Sequence, residues 1–187
     1  MEKVALVSLK KFNTLLSFIF APSFILLLQF FDFKTISLVY ALLMLCYLLF
    51  SIIIKTDIKT IATPLIYFIF IVIAYFFSSL EYVKAIPALI SSFFFLFFLE
   101  SALSRRHTVL KFSQKFYKKE LTISEEKFIA SSDGYWAVVT FFNVLIQVAL
   151  IFNDNNQFWA FYSSIGWYIF LGMALVLQIL YGKILHD

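Results

Sequence analysis

Six stretches of this chain are long and apolar enough to cross a bilayer, and the lysines and arginines between them fall almost wholly on one side. A spanning helix needs about 20 mostly apolar residues. The six runs cover roughly residues 12–31, 36–54, 61–80, 85–103, 135–152 and 158–182. They take up most of the 187 residues, so the expectation is one membrane domain over 1–187 and no separate soluble module. Composition agrees, with 63% hydrophobic and only 14% charged residues; soluble domains carry about a quarter charged. The fold class is therefore all-α: a polytopic membrane helical bundle of about six transmembrane helices.

Thirteen of the 15 basic residues precede the first span or follow the second, fourth and sixth, and only Lys34 and Lys84 lie opposite. Cytoplasmic loops hold the excess of lysine and arginine. Both termini and the long loop 104–134 are thus expected in the cytoplasm, as in a multi-pass protein of a bacterial inner membrane. The net charge of +4 follows from these membrane-proximal cations and anionic lipid, without nucleic acid as a partner. Lys10 and Lys11 precede an apolar run that reaches Phe31, too long for a signal peptide, and Pro22 after Ala21 makes a poor cleavage site. The run reads as a retained span that Pro22 kinks. Pro64 and Pro87 fall in the first turns of spans three and four, where a missing N–H costs little. Asp32 with Lys34, and Glu81 with Lys84, mark short turns. Trp159 and Trp167 are expected to help anchor the sixth span, with Trp159 at its outer boundary.

The long loop carries its own pattern. Val109, Leu110, Phe112, Phe116 and Tyr117 read as one arc of a helix, with Lys111, Lys115 and Lys118 opposite. That is the pattern of a helix lying in the headgroup plane. Arg105, Arg106, Lys111, Lys115, Lys118 and Lys119 are the candidate residues for binding a lipid or a partner. Thr122-Ile123-Ser124-Glu125 fits a capping box for a second short helix toward Ala130. Asp133 is expected to cap the fifth span.

An ionisable or strongly polar group inside a span is a functional hypothesis, because its desolvation is costly. Glu100 is the acid nearest a span interior, and it is placed either as a coupling carboxylate or as a partner of Arg105 or Arg106. Asn143 and Gln147, four apart, share a helix face and serve either helix packing or a substrate path. Ser78, Ser79, Ser91, Ser92, Ser163 and Ser164 allow close helix approach. Gln29 and Gln178 read as near-interface residues. The Phe93–Phe98 run reads as lipid-facing or packing surface. Cys46 is the one cysteine, so Cys-based metal clusters and intramolecular disulfides are excluded. His107 and His186 lack a second ligand at metal spacing. Asp133-Gly134 superficially matches the start of a phosphatidyltransferase motif, but the paired downstream aspartates are missing. No catalytic residue, cofactor or metal is assigned.

One further pattern spans the second half of the chain. It comprises Pro87 in Ala-Ile-Pro-Ala-Leu-Ile, Ser101-Ala102-Leu103, Trp136 followed by Phe141-Phe142-Asn143, and Trp159-Ala160-Phe161-Tyr162 with Tyr168 beyond. From about Ile86 the chain resembles a family of small bacterial inner-membrane proteins encoded with aryl-polyene or xanthomonadin-type pigment genes. It is more distantly similar to the intracellular septation protein A family. Trp136, Trp159, Tyr162 and Tyr168 are the family-like aromatic positions. Ser163-Ser164 departs from the Asn-Gly of the family pattern. The resemblance implies an accessory role in cell-envelope or membrane-lipid biogenesis and supplies no catalytic residues.

The leading expectation is a non-catalytic accessory protein that assembles, holds or hands on a lipid-like product. Its partners would be membrane lipids, other envelope-biogenesis membrane proteins, or an acidic acyl-carrier protein docked on the basic loop. The alternative is a small lipid or small-molecule transporter or flippase, with Glu100, Asn143 and Gln147 lining a path. A membrane-embedded transferase would have to draw on Glu100, His107 and Glu120.

Overall fold

The computed structural model describes residues 15, 19–54, 56, 58–116 and 122–186. Every regular element among them is helical. Helix α1 is seen over residues 19–27. It is followed by α2 (Phe33–Ile53), α3 (Ile58–Phe77), α4 (Leu80–Leu103), α5 (Thr108–Phe116), α6 (Ile123–Ile151) and α7 (Asn156–Phe161). A π-helical turn, Tyr162–Gly166, then leads into α8 (Trp167–His186). In lipid each main-chain N–H and C=O must find its partner within the protein, and a helix does this within one segment.

Five helical segments are long and apolar enough to cross a membrane: Phe33–Ile53, Thr60–Phe77, Leu80–Leu103, Ile123–Ile151 and Asn156–Ile184. The expected span at 12–31 lies partly outside the described residues; its described part is helical over 19–27 and turns at 28–30. Large apolar side chains such as Leu42, Phe50, Phe76 and Leu177 are about half or more exposed, as lipid-facing residues are. The chain is a multi-pass helical membrane protein.

Helix ends follow local chemistry. The Asp32 carboxylate accepts from Thr35 Oγ1 at 2.6 Å and from the Thr35 N–H at 2.9 Å, capping α2. These bonds hold its carboxyl below the usual carboxylate range. Thr122 and Glu125 form the reciprocal capping box: the Thr122 N–H donates to Glu125 Oε2 at 2.7 Å, and the Glu125 N–H to Thr122 Oγ1 at 3.3 Å. Asn155 Oδ1 accepts the Phe158 N–H at 2.9 Å and starts α7.

Several expectations are corrected. The capping box does not open a separate short helix. It begins α6, which continues without a break to Ile151, so this span starts well before Tyr135 and Asp133 lies inside it instead of capping its start. Pro64 and Pro87 lie inside α3 and α4, past the first turn, because those helices begin at Ile58 and Leu80. Each removes one main-chain donor from a helix interior. Lys84 likewise belongs to α4 and is buried, not part of an exposed turn.

The residues group into two units. The first comprises Met1–Ala88 and Gln147–Gly166. Here α2 packs on α3. The Phe20 ring meets Tyr67 edge-on at 4.6 Å and Tyr40 at 5.3 Å. Ser23 Oγ and the Tyr40 hydroxyl lie 2.5 Å apart. Phe24, Met44, Ile71 and Ala74 are fully buried. Trp159 is also fully buried, so it is not a boundary anchor; its indole N–H has no acceptor among the described residues.

The second unit comprises Leu89–Ile146 and Trp167–Asp187. Tyr135 donates its hydroxyl proton to Ala174 O at 2.6 Å. Trp136 Nε1–H donates to Gln178 Oε1 at 2.9 Å, and Gln178 Nε2 donates to Ser132 Oγ at 2.7 Å. Gln178 therefore ties α8 to α6. A Cβ at Gly182 would sit 2.8 Å from the Phe128 ring, so only glycine permits this approach without a shift. Phe95 and Phe98 of the phenylalanine run pack on Phe141 and Trp136, while Phe93, Phe94 and Phe97 are exposed.

Candidate functional site

The most polar junction of the second unit lies where α4 ends and α5 begins against α6. Four residues, 104–107, connect the two helices, and two of them take left-handed backbone: Arg105 at φ 51° and His107 at φ 52°. For residues with a Cβ this costs roughly 1–2 kcal/mol each, so the surrounding contacts must hold the turn. They come mainly from Asp133. Its Oδ2 accepts the Thr108 N–H at 2.9 Å and the Ser101 hydroxyl at 2.7 Å, and its Oδ1 accepts the Val109 N–H at 2.9 Å. Ser101 Oγ lies 2.6 Å from Thr108 Oγ1.

Asp133 is thus a helix cap supplied from another helix. The first N–H groups of α5 have no partner within the helix, and the carboxylate also meets the positive end of the helix dipole. With 2% exposure, the charge is removed from solvent but bonded at both oxygens. His107 Nδ1 stands 2.9 Å from Ala130 O. A carbonyl only accepts, so Nδ1 carries the proton, and in the neutral ring Nε2 is the basic nitrogen. His107 is oriented by a carbonyl and not by a carboxylate, so this geometry is not that of a serine-histidine-aspartate relay.

An open depression of about 470 Å³ occupies this junction, lined by Ser101, Ala102, Arg105, His107, Ala130, Ser131, Asp133 and Gly134. Nothing lies within 4 Å of where a Gly134 Cβ would stand.

The remaining sequence candidates are dispersed. Glu100 is half exposed and pairs with Arg106 at 3.0 Å. Asn143 is buried in the second unit and donates from Nδ2 to Ser91 Oγ at 2.8 Å. Gln147 is buried in the first unit, where its Oε1 accepts from Ser163 Oγ at 3.2 Å. Ser163 belongs to the π-helical turn that also holds Tyr162. Tyr168 is partly exposed, with its ring 4.4 Å from Trp167. Lys111 and Lys115 are exposed on α5. On the same helix Leu110 is 9% and Phe112 is 63% exposed. Lys118, Lys119, Tyr117 and Glu120 lie outside the described residues, as do Lys3, Lys10, Lys11 and Lys55. Among the described residues no group of His, Cys, Asp or Glu could hold a metal ion.

Sequence reading missed the role of Asp133. The signal available was a lone acid close to a basic amphipathic segment, but its partners lie about 25 residues away. The fold and this junction define a multi-pass membrane protein with a short amphipathic helix fastened to its spanning helices. Comparison with protein-family models, curated proteins and solved structures gives no match.

Proposed function

We propose that this chain is a non-catalytic, multi-pass protein of a bacterial inner membrane, with both termini in the cytoplasm, that serves envelope or membrane-lipid biogenesis. On this reading α5 lies at the cytoplasmic surface and holds an anionic, lipid-like product of the aryl-polyene kind for hand-on to the next protein. The observation that carries the proposal is the Asp133 clamp: it fixes α5 on α6 while Lys111, Lys115 and Phe112 stay exposed. Exposed cations beside an exposed aromatic suit a headgroup layer, where each cation near an anionic surface contributes about 1 kcal/mol. The 13-to-2 partition of basic residues supports the orientation, and the resemblance from Ile86 onward supports the pathway.

Support for a transport path is weaker. Glu100 pairs with Arg106 at an exposed helix end, and Asn143 and Gln147 each bond to a serine of a neighbouring helical segment.

The test is native mass spectrometry of the full chain released from nanodiscs with and without anionic phospholipid. Retention of anionic lipid by the wild type and its loss in a Lys111→Glu/Lys115→Glu variant is the expected result. Equal retention by both removes the proposal. Loss of an acidic acyl-carrier protein, with lipid retention unchanged, assigns the surface to a protein instead.

A further inference from the structure

We propose that the depression between α4, α5 and α6 binds a phosphate ester, with the Arg105 guanidinium supplying the charge and His107 a second polar contact. This deepens the reading of α5 as a headgroup-layer helix and rests on it for the location of the site.

Two charged groups at this junction are already engaged. Arg106 is paired with Glu100 at 3.0 Å. Asp133 lines the wall, but both its oxygens are bonded to Ser101, Thr108 and Val109. The α5 N-terminus is spent on that carboxylate, so it is not the attraction. Arg105 remains: exposed, with no carboxylate within ion-pair distance among the described residues. Its left-handed backbone lies in the turn after α4, and it lines the depression. Backbone held in a sparsely populated region clusters at ligand-binding sites.

The second requirement is room and direction. His107 Nδ1 is committed to Ala130 O, which fixes the ring and leaves Nε2 for a ligand. Ala102, Ala130 and Gly134 contribute only small side chains to the lining of this volume of about 470 Å³, and nothing lies within 4 Å of a Cβ at Gly134. A planar guanidinium binds phosphate oxygens through two parallel N–H groups, which an ammonium cannot do. An imidazole nitrogen can accept from a protonated phosphate oxygen or, when charged, donate to an ionised one. The ester can belong to a lipid headgroup or to a soluble compound, since both present the same group.

The experiment compares wild type, Arg105→Gln, Gly134→Leu and Lys111→Glu/Lys115→Glu. Binding is measured to nanodiscs of phosphatidylcholine with and without phosphatidic acid, and to glycerol phosphate added to protein in neutral detergent. Gly134→Leu adds a bulky side chain at the lining of the depression without altering a charge and replaces a poor helix former with a good one. Arg105→Gln and Gly134→Leu should each weaken phosphatidic acid binding at least about tenfold, the scale expected for losing a charge-assisted contact. Competition by glycerol phosphate identifies the ester itself as sufficient; its absence restricts the ligand to lipid. Both results keep the site. Wild-type affinity in both variants overturns it. If only the lysine variant loses binding, the surface reading stands and the pocket falls. If only the Arg105 and Gly134 variants lose binding, the pocket stands without the lysine surface.

Discussion

The ammonium of Lys84 donates to the main-chain carbonyl of Asn153 at 2.7 Å, joining the first turns of α4 to the turn between α6 and α7. Lys84 is 5% exposed, so this is a buried cation held by a residue 69 positions away. Removing a buried charge's partner, or reversing the charge, commonly costs about 3–5 kcal/mol. Lys84→Glu would set a carboxylate against a carbonyl oxygen and should lower stability by that amount. Lys84→Met keeps the aliphatic stem and should cost about 1–2 kcal/mol, near the value of one charged hydrogen bond less its desolvation. Thermal unfolding in detergent reads both, and equal midpoints for the two variants would remove the latch.

Asp133→Ala removes the acceptor of the Val109 N–H and leaves the Thr108 N–H only its longer bond to Ser101 Oγ at 3.3 Å. Losing a hydrogen bond to a charged group costs about 1.5–3 kcal/mol. Amide hydrogen exchange in α5 should rise sharply while the middle of α6 stays protected. Asp133→Asn keeps one acceptor oxygen and should fall between wild type and alanine. Unchanged exchange in α5 would show that other contacts hold this helix.

Asn143 and Ser91 should behave as a packing pair. A double-mutant cycle of Asn143→Ala and Ser91→Ala should give a coupling of about 0.6–1.7 kcal/mol, the range for interhelical bonds in membranes. Zero coupling, together with loss of function in either single variant, would return Asn143 to the transport reading.

Two glycines of α8 should respond oppositely to alanine. Gly182→Ala overlaps the Phe128 ring and should cost about 1–3 kcal/mol. A Cβ at Gly172 meets nothing within 4 Å, so Gly172→Ala should stabilise by up to about 1 kcal/mol through helix propensity. The same detergent melt reads both, and shifts of equal sign would contradict the close approach of α8 to Phe128.

Reporter fusions test the orientation. A periplasm-active enzyme placed after Asp187 or within 104–107 should be silent, and a cytoplasm-active one bright. The opposite result at either point overturns the cytoplasmic placement and the headgroup-layer role of α5.

The membrane class, most of the spans and the helix start at Thr122 were legible in the sequence. They depend on apolar run length and on side chains bonding to main chain within three residues. Helix boundaries were legible only in part. Ile123–Gly134 is polar enough to read as loop, yet its first turn is capped and its buried face is paid for by contacts the local sequence does not contain.

Tertiary structure alone decided where the polar residues went. Asp133 met α5, Lys84 met Asn153, Gln178 met Trp136 and Ser132, and Trp159 went inside. Bilayer crossing is a local property, because each residue contributes its own transfer energy to one helix. Satisfaction of a buried charge or amide depends on which distant segment the packing brings within 3 Å, and no window along the chain records that.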